Sequence, residues 1–455
     1  MTKARKQIWT GNVRDAALSI LLEINKNQAY SNLLLHQTIE TYKINDKDRG
    51  LLTELTYGTL QHQMTLDYYL EPFVRGKIDV WVRELLRMSL YQIVYLTKIP
   101  PHAAVHEAVE IAKKRGHKGI AGMVNGVLRS VLREGVRSVE AIQDPIERIA
   151  IETSHPQWLI ERWVALYGED TARVIALTNN RPAKMTFRVN ETKTTKAALT
   201  EQLEERGFII RLGDVVEECL ISENGNPGNT ALYNEGLMTI QDESSMLPVQ
   251  ALQLEEGLRV LDMCAAPGGK TTHIAEKMND TGEVFAHDLH AHKVKLIEKN
   301  AKRLGLTSIQ AQSGDSRKLV ETYGEQAFDR ILVDAPCSGF GVIRRKPEIK
   351  YTKTAEDVAN LANIQLSLLS TAEKLLKEDG IIVYSTCTID AMENEEVAKR
   401  FIEEHATMEI VPLSMFEEKK GLMVEDDLLQ VLPQDFDGDG FFVAAFRKKK
   451  TNTQE

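Results

Sequence analysis

The chain has 455 residues, 43% of them apolar and 27% charged, with a formal net charge of −10. That length predicts roughly two to four domains with ample buried core, and no run approaches the eighteen or so apolar residues of a membrane span. The four cysteines, Cys219, Cys264, Cys337 and Cys387, form no CxxC pair, which excludes a disulfide framework and predicts a reducing, cytoplasmic setting.

Residues 1–138 read as an all-α bundle. MTKARKQIWTGN at the start is basic but has no apolar core behind it, so it does not read as a signal peptide. Val13, Ala17, Ile20, Leu21 and Ile24 then recur at helical spacing, with Asn12 and Asp15 as a cap pair. Similar patterns run through DRGLLTELTYGTLQHQMTLDYYL, WVRELLRMSLYQIVYL and MVNGVLRSVLRE. Residues 1–150 hold 21 Lys and Arg against 16 Asp and Glu, a balance of about +5, which leaves about −15 for the rest. A basic front on an acidic body is one signature of RNA binding, although a solvated helical surface of mixed charge gives the same balance.

Residues 139–236 read as a small α+β module, with strands in KMTFRVN and FIIRLGDVV and a loop in ENGNPGNT. From 237 to 450 strands and helices alternate. RVLDM, GEVFAHD, SIQAQSG, FDRILVDA and GIIVYST read as strands, and KVKLIEKNAKRLGL as a helix between two of them. This alternation predicts a doubly wound, Rossmann-like α/β domain with a mostly parallel sheet. LLQVLPQDFDGDGFFVAAFRKK reads as two antiparallel strands added at an edge, and the tail RKKKTNTQE as disordered.

Ligands of such sheets sit at the carboxyl ends of the strands, beside the first turn. Here that turn is VLDMCAAPGGKTTHIAE. A P-loop needs a glycine where Cys264 stands, and a dinucleotide fingerprint needs G-x-G-x-x-G, which CAAPGG lacks. S-adenosylmethionine needs neither. Cys264, Ala265, Ala266, Pro267, Gly268, Gly269 and Lys270 form a turn of mostly small residues that leaves room for it. Asp288 ends the second strand, where a ribose-binding acid belongs. Asp315, after the third, is placed to accept from an adenine amino group, and Asp262 to support the turn. A lone Asp is ordinarily a helix N-cap, but these three stand at three successive strand ends.

The fourth strand ends in DAPCSGFG and the fifth in STC, which brings Asp334, Cys337 and Cys387 around one cleft. A cysteine outside a disulfide is ordinarily a small hydrophobe that packs well, and Cys219 reads that way. Two beside a cofactor turn suit methylation of cytosine at carbon 5. That carbon is a poor nucleophile until a thiolate adds to carbon 6. A carboxyl at the N3/N4 edge stabilises the proton taken up there, and a base must later remove the carbon-5 proton. Residue chemistry does not order the two cysteines. A helix N-terminus behind Cys387 lowers a thiol pKa, but Asp390 and Glu393, read with Glu395 and Glu396 as the acidic first turns of that helix, oppose it. Of the remaining polar clusters, His287, His290 and His292 in HDLHAH lack completing metal ligands. Arg344 and Arg345 read as an RNA-phosphate clamp or as plain surface charge. Phe441 and Phe442 read as core.

DAPCSG and STCTIDAMENEE resemble the paired motifs of RNA 5-methylcytosine methyltransferases, which use two cysteines. YQIVYLTKIPPHAAVHEAVEIAK, VNGVLR, GLMTIQDESSMLPVQAL, CAAPGGKT, GVIRRKPEIK and DGFFVAAF extend the match. Over nearly its whole length the chain resembles the Sun/Fmu (RsmB) family, whose front is a NusB-like RNA-binding domain. The resemblance implies that Cys387 is the nucleophile, that Cys337 assists release and that Asp334 contacts the target base. It implies that residues 264–270, with Asp288, Asp315 and Asp334, hold S-adenosylmethionine. It further implies action on cytosine 967 of unassembled or partly assembled 16S ribosomal RNA, and the residues themselves predict neither metal nor membrane, with a monomer expected. A transfer-RNA 5-methylcytosine methyltransferase and a non-catalytic RNA-binding antitermination factor are the alternative readings.

Overall fold

The computed structural model describes residues 11–27, 31–419 and 421–450, and they form two compact units. One runs through Arg181 and takes in Ile343–Thr352, while the other holds Pro182–Val342 and the chain from Lys353 onward. The basic start MTKARKQIWT and the last five residues of the tail lie outside the described residues.

The first unit is helical. Helices Val13–Asn27, Ser31–Tyr42, Asp46–Gln61, Gln63–Leu70, Val80–Tyr95, Pro101–Arg115 and Lys118–Glu134 pack their apolar faces around Leu18, Leu21, Leu52, Leu55, Leu85, Leu86, Leu90 and Leu128, all fully buried. Each such leucine stabilises the bundle by about 1.5–3 kcal/mol of transfer free energy. Asn12 caps the first helix as expected, its Oδ1 accepting from the backbone N–H of Arg14 at 2.9 Å and of Asp15 at 3.1 Å. The Asp15 carboxylate reaches Arg115 at 2.6 Å and Lys114 at 3.0 Å.

Helices Pro145–Thr153, Gln157–Tyr167 and Glu169–Asn179 belong to the same unit, whereas the sequence groups them with the middle module. Their polar ends explain this: Thr65 Oγ1 donates to Ile151 O at 2.6 Å, and Met64 N to Ser154 Oγ at 2.7 Å. The segment Ile343–Thr352 is buried here too. Glu348 accepts from Ser31 N at 3.0 Å and Oγ at 2.8 Å, and Lys350 Nζ donates to Gln61 O at 2.8 Å. Arg344, expected as a phosphate clamp, is only 3% exposed and donates to Thr178 O at 3.2 Å. Its guanidinium serves packing within the unit. Arg345 is half-buried.

The second unit holds two sheets. Strands β1 (Met185–Val189), β2 (Ile210–Leu212), β3 (Cys219–Ser222) and β4 (Met238–Ile240) pair antiparallel in the order β2-β3-β1-β4. The larger sheet comprises β5 (Arg259–Asp262), β6 (Glu283–Asp288), β7 (Ile309–Ser313), β8 (Phe328–Asp334), β9 (Leu376–Thr386), β10 (Met408–Ile410), β11 (Met423–Glu425), β12 (Leu428–Val431) and β13 (Phe441–Lys448). Its order is β11-β12-β13-β9-β8-β5-β6-β7, with β10 against β13. Pairing is parallel from β7 through β9 and antiparallel beyond.

Parallel strands buried on both faces read as continuous apolar runs, as ILV and IIVY do here. Alternate residues go to opposite faces: Leu332 and Val383 enter one core, and Ile331, Val333, Ile382 and Tyr384 the other. Phe441 and Phe442 divide between the same two cores. β13 also keeps Arg447 and Lys448, which the sequence assigns to a disordered tail; Lys448 Nζ is drawn to Glu373 O at 2.8 Å. The crossover that places β8 beside β5 rather than β7 makes a topological switch point, where ligands of this fold class bind.

Gly58 faces Tyr91, and a methyl group at position 58 would overlap the phenol ring. Gly58→Ala should therefore destabilise the helical unit by about 1–3 kcal/mol. Calorimetry should show a lower first-unit transition with the second unchanged; two unchanged transitions would mean that Tyr91 moves aside without cost.

Candidate active site

The turn after β5 is built around buried polar support. Asp262 closes the strand, fully buried, and Thr271 Oγ1 donates to its Oδ2 at 2.7 Å. Burial, aided by the charge of Asp334, pushes the Asp262 carboxyl up to about 7 despite the Thr271 bond. Gly268 sits at φ +103°, and a Cβ there would meet Ile297 Cα at 3.1 Å, so only glycine serves. Helix Gly269–Lys277 then starts, with small side chains on the approach. Burial raises the Cys264 thiol, and Asp262, Asp334 and Asp288 raise it further. All three carboxylates therefore lie near Cys264.

Asp288 ends β6 nearly buried. Its Oδ1 accepts from His290 N at 3.1 Å, with the Lys293 ammonium 3.8 Å away, and its Oδ2 has no hydrogen-bond partner among the described residues. Asp315, after β7, is instead gripped by Arg317, at 2.9 Å from Nε and 2.7 Å from Nη2, and caps a short 3-10 turn. Those bonds hold its carboxyl below the usual range.

β8 and β9 are neighbours, with Asp334 opposite Ser385, and the two thiols just beyond them lie 3.4 Å apart, Sγ to Sγ. Asp334 is fixed from both sides: Ser385 Oγ donates to Oδ1 at 2.9 Å, and Lys270 Nζ to Oδ2 at 2.7 Å. Lys270 is only 13% exposed along its side chain and lies 4.9 Å from the Phe441 ring centre. Burial alone would lower the ammonium pKa, but the charge and hydrogen bond of Asp334 outweigh it, helped by Cys387, and hold it above the usual lysine range. The environments of the two sulfurs therefore differ. Cys387 interacts with the Lys270 cation, whereas Cys337 is raised by its hydrogen bond to Cys387, by burial, by the charge of Cys387, and then by the charges of Glu393 and Asp334.

The residues after Cys387 are not the helix start that their acidity suggests. The helix begins at Glu395, so only Glu395 and Glu396 occupy its first turn. Asp390 and Glu393 are fully buried in the preceding loop. Glu393 Oε2 accepts from Ser338 N and from Gln365 Nε2, each at 2.9 Å.

One important side chain escapes the sequence reading. Arg188 of β1, wholly buried, donates from Nη1 to Gly269 O at 3.1 Å, from Nη2 to Thr272 Oγ1 at 3.1 Å, and from Nε to Glu276 Oε2 at 2.9 Å. It also donates to Gln241 Oε1. The small sheet thus anchors the glycine turn, and the only local signal was an arginine inside an apolar strand, KMTFRVN. Elsewhere, His287 shares a 2.8 Å hydrogen bond with Tyr323 OH, and His290 stacks on His292. Among the described residues no group of three His, Cys, Asp or Glu could hold a metal ion, and no helix is long and apolar enough to cross a membrane. Cys219 is core.

Comparison with known proteins decides the family. A 16S rRNA methyltransferase RsmB/F model matches residues 249–447, a NusB family model residues 11–133, and an RsmF/B-like ferredoxin-like domain model residues 155–227. The probable ribosomal RNA small subunit methyltransferase B of Bacillus subtilis (strain 168) is 53% identical over 443 residues, 96% of this chain and 99% of the relative. The Yersinia enterocolitica protein of that name is 34% identical, over 97% of this chain and 99% of its own length. The chain belongs to the ribosomal RNA small subunit methyltransferase B family. Membership makes it an S-adenosylmethionine-dependent RNA methyltransferase. Among solved structures, PH0851 superposes with TM-score 0.83 at 26% identity, covering 98% of this chain and all of that one. A methyltransferase homolog from Pyrococcus horikoshii gives 0.60 at 28% identity, over 68% of this chain and 100% of its own.

The turn fits that family's cofactor. The open Oδ2 of Asp288 is an acceptor suited to ribose hydroxyls. Asp288→Ala should raise the dissociation constant for S-adenosylmethionine ten- to a hundredfold, since hydrogen bonds to charged groups are worth about 1.5–3 kcal/mol. Calorimetric titration showing unchanged affinity in a folded variant would remove Asp288 from the site. Arg188→Met should leave Glu276 buried and uncompensated, a cost of about 3–5 kcal/mol. A lower Tm with weakened cofactor binding is expected, and full stability would show that the turn stands without this anchor.

Proposed function

We propose that the protein methylates carbon 5 of cytosine 967 in unassembled or partly assembled 16S ribosomal RNA, as a cytoplasmic monomer, through a covalent adduct on Cys387. The reading rests on one observation: two thiols 3.4 Å apart beside the Lys270–Asp334 ion pair, with Glu393 on the Cys337 side. The Lys270 ammonium attracts a thiolate at Cys387 and so favours its attack on carbon 6. Cys337, held above the usual thiol range, keeps its proton during that step.

As the S–C6 bond forms, the C5=C6 electron pair is released into the ring and N3 takes a proton from solvent. Asp334, steadied by Lys270 and Ser385, stabilises that proton at the N3/N4 edge. S-adenosylmethionine, when bound, supplies the electrophilic methyl group for carbon 5. Release reverses the addition. The Cys337 sulfur accepts the carbon-5 proton as its own passes to Cys387, the S–C6 bond breaks, the double bond returns and N3 gives back its proton.

We assign residues 1–138 to RNA binding, residues 182–236 of the middle segment to supporting the active-site turn and the RNA, and 237–450 to the chemistry. Residues 264–270, Asp288, Asp315 and Asp334 hold the cofactor in this reading, with the Asp315–Arg317 pair opening to admit adenine. Bisulfite sequencing of RNA from a deletion strain should show the loss of one methylated 16S cytosine. Loss confined to transfer RNA would favour a transfer-RNA enzyme, and no loss would overturn the assignment of cytosine 967.

Cys387→Ala should abolish methylation and form no adduct. Cys337→Ala should still attack and accept the methyl group, then stall, leaving protein attached to methylated RNA as a slow band on a denaturing gel. Removing a nucleophile blocks the first step, whereas removing the release group blocks the last. The opposite pattern of adducts would exchange the two roles, and unaffected methylation in both variants would end the two-cysteine mechanism.

A further inference from the structure

Glu393 has no part in the chemistry above, yet it is fully buried between the two cysteine loops. Its Oε2 accepts from Ser338 N, the peptide directly after Cys337. Gln365 Nε2, which donates to the same oxygen, also donates to Pro336 O at 3.0 Å, so the residues on both sides of Cys337 are held. Tyr384 OH bonds Gln365 Oε1 at 3.1 Å and the Glu393 carbonyl. The loops are tied directly as well, by Ser338 Oγ and Thr388 Oγ1 at 2.8 Å and by Gly341 N donating to Cys387 O at 3.0 Å. Within this network Glu393 Oε1 is buried with no hydrogen-bond partner among the described residues.

We propose that Glu393 is the positioning residue for Cys337: it pins that loop against the Cys387 loop and sets a carboxylate beside the Cys337 thiol. The proposal rests on the roles assigned above, attack by Cys387 and release by Cys337. An acceptor alone would pin Ser338, so the loop geometry does not by itself require a carboxylate. The charge is what a carboxylate adds. A nearby negative charge disfavours a thiolate, and Glu393 is among the groups that raise Cys337.

The groups facing Glu393 are Asp390, Tyr384 and Cys337, and those facing Cys337 are Cys387, Asp334 and Glu393. Burial pushes Glu393 up to about 7, against the bonds from Ser338 and Gln365 and with help from Asp390. Its charge therefore grows as pH rises through neutrality, in the range where an ordinary thiol begins to ionise.

The test is the pH dependence of Cys337 alkylation by iodoacetamide in the full chain, read by mass spectrometry of the Cys337 peptide. Glu393→Gln keeps an acceptor for Ser338 and removes the charge. The alkylation midpoint should fall by about one pH unit, a tenfold faster reaction at fixed pH on the rising limb. Glu393→Gln should also lower kcat with KM for RNA unchanged. An unmoved midpoint in a folded Gln variant overturns the proposal. If that variant does not fold, Cys387→Ala decides. With the S–H···S bond and the Cys387 charge gone, burial, Glu393 and Asp334 remain to hold the Cys337 midpoint above the ordinary range, and a fall to about 8.5 would overturn the proposal. Alkylation involves neither RNA nor cofactor, so a reversed adduct pattern would refute the roles of the cysteines without moving this readout.

Discussion

Asp334 faces Ser385 across β8 and β9, and this parallel register sets how close the two thiols can come. Cys337 lies three residues past Asp334 and Cys387 two past Ser385, so both loops leave the sheet at nearly the same height. A slip of one residue would turn every side chain of the strand to the opposite face. That slip is blocked by burial. Ile331, Val333, Ile382 and Tyr384 fill one core, and Leu332 and Val383 the other, all fully buried. The two-sided burial that makes the strands continuous apolar runs also fixes the sulfur separation. Packing and chemistry are linked through one register.

Charge at the edge of this sheet is handled residue by residue, because an isolated buried charge is costly. Lys270 and Asp334 neutralise one another at 2.7 Å. Arg188 meets Glu276 at 2.9 Å with both side chains buried. Asp262 has no cation within the turn bonded to it, and burial answers by favouring its proton, pushing it up to about 7. Three carboxylates can therefore stand near a cofactor that carries positive charge without repelling one another at full strength. The same cofactor would add a cation where Asp262, Asp288 and Asp334 raise the Cys264 thiol.

Much of this was legible in the sequence because it is local. The strands of the larger sheet announce themselves as ILV and IIVY runs, the turn by its glycines, and the two cysteines by their place at strand ends. The antiparallel pair at the edge follows from its Gly/Asp turn, and Asn12 from its position before an apolar period. What was not legible depends on partners far along the chain. Arg188 looks like a misplaced charge in KMTFRVN until Glu276, 88 residues on, comes to meet it. Arg344 looks like a surface cation until Thr178 takes it in. Glu393 and Asp390 look like helix-cap acids because composition near a helix start is acidic, but the loop after Cys387 runs to Asn394 before any helix begins. The helices from Pro145 to Asn179 pack with the bundle through bonds such as Thr65 to Ile151 that periodicity cannot report.

Covalent addition to a pyrimidine ring asks opposite things of sulfur. Attack needs a thiolate, and the release proposed for this protein needs a second sulfur that has kept its proton through the earlier steps. One uniform environment cannot provide both, because whatever favours ionisation of the first would favour it in the second at 3.4 Å. The fold separates the two by what it places on either side. Lys270 comes from the turn after β5, and Asp334 and Glu393 from the ends of β8 and β9. Once one sulfur of a close pair ionises, it holds the other protonated, since two adjacent negative charges repel. The asymmetry therefore need only choose which thiol goes first. In the mechanism proposed above, Lys270 on the Cys387 side and Glu393 on the Cys337 side bias that choice.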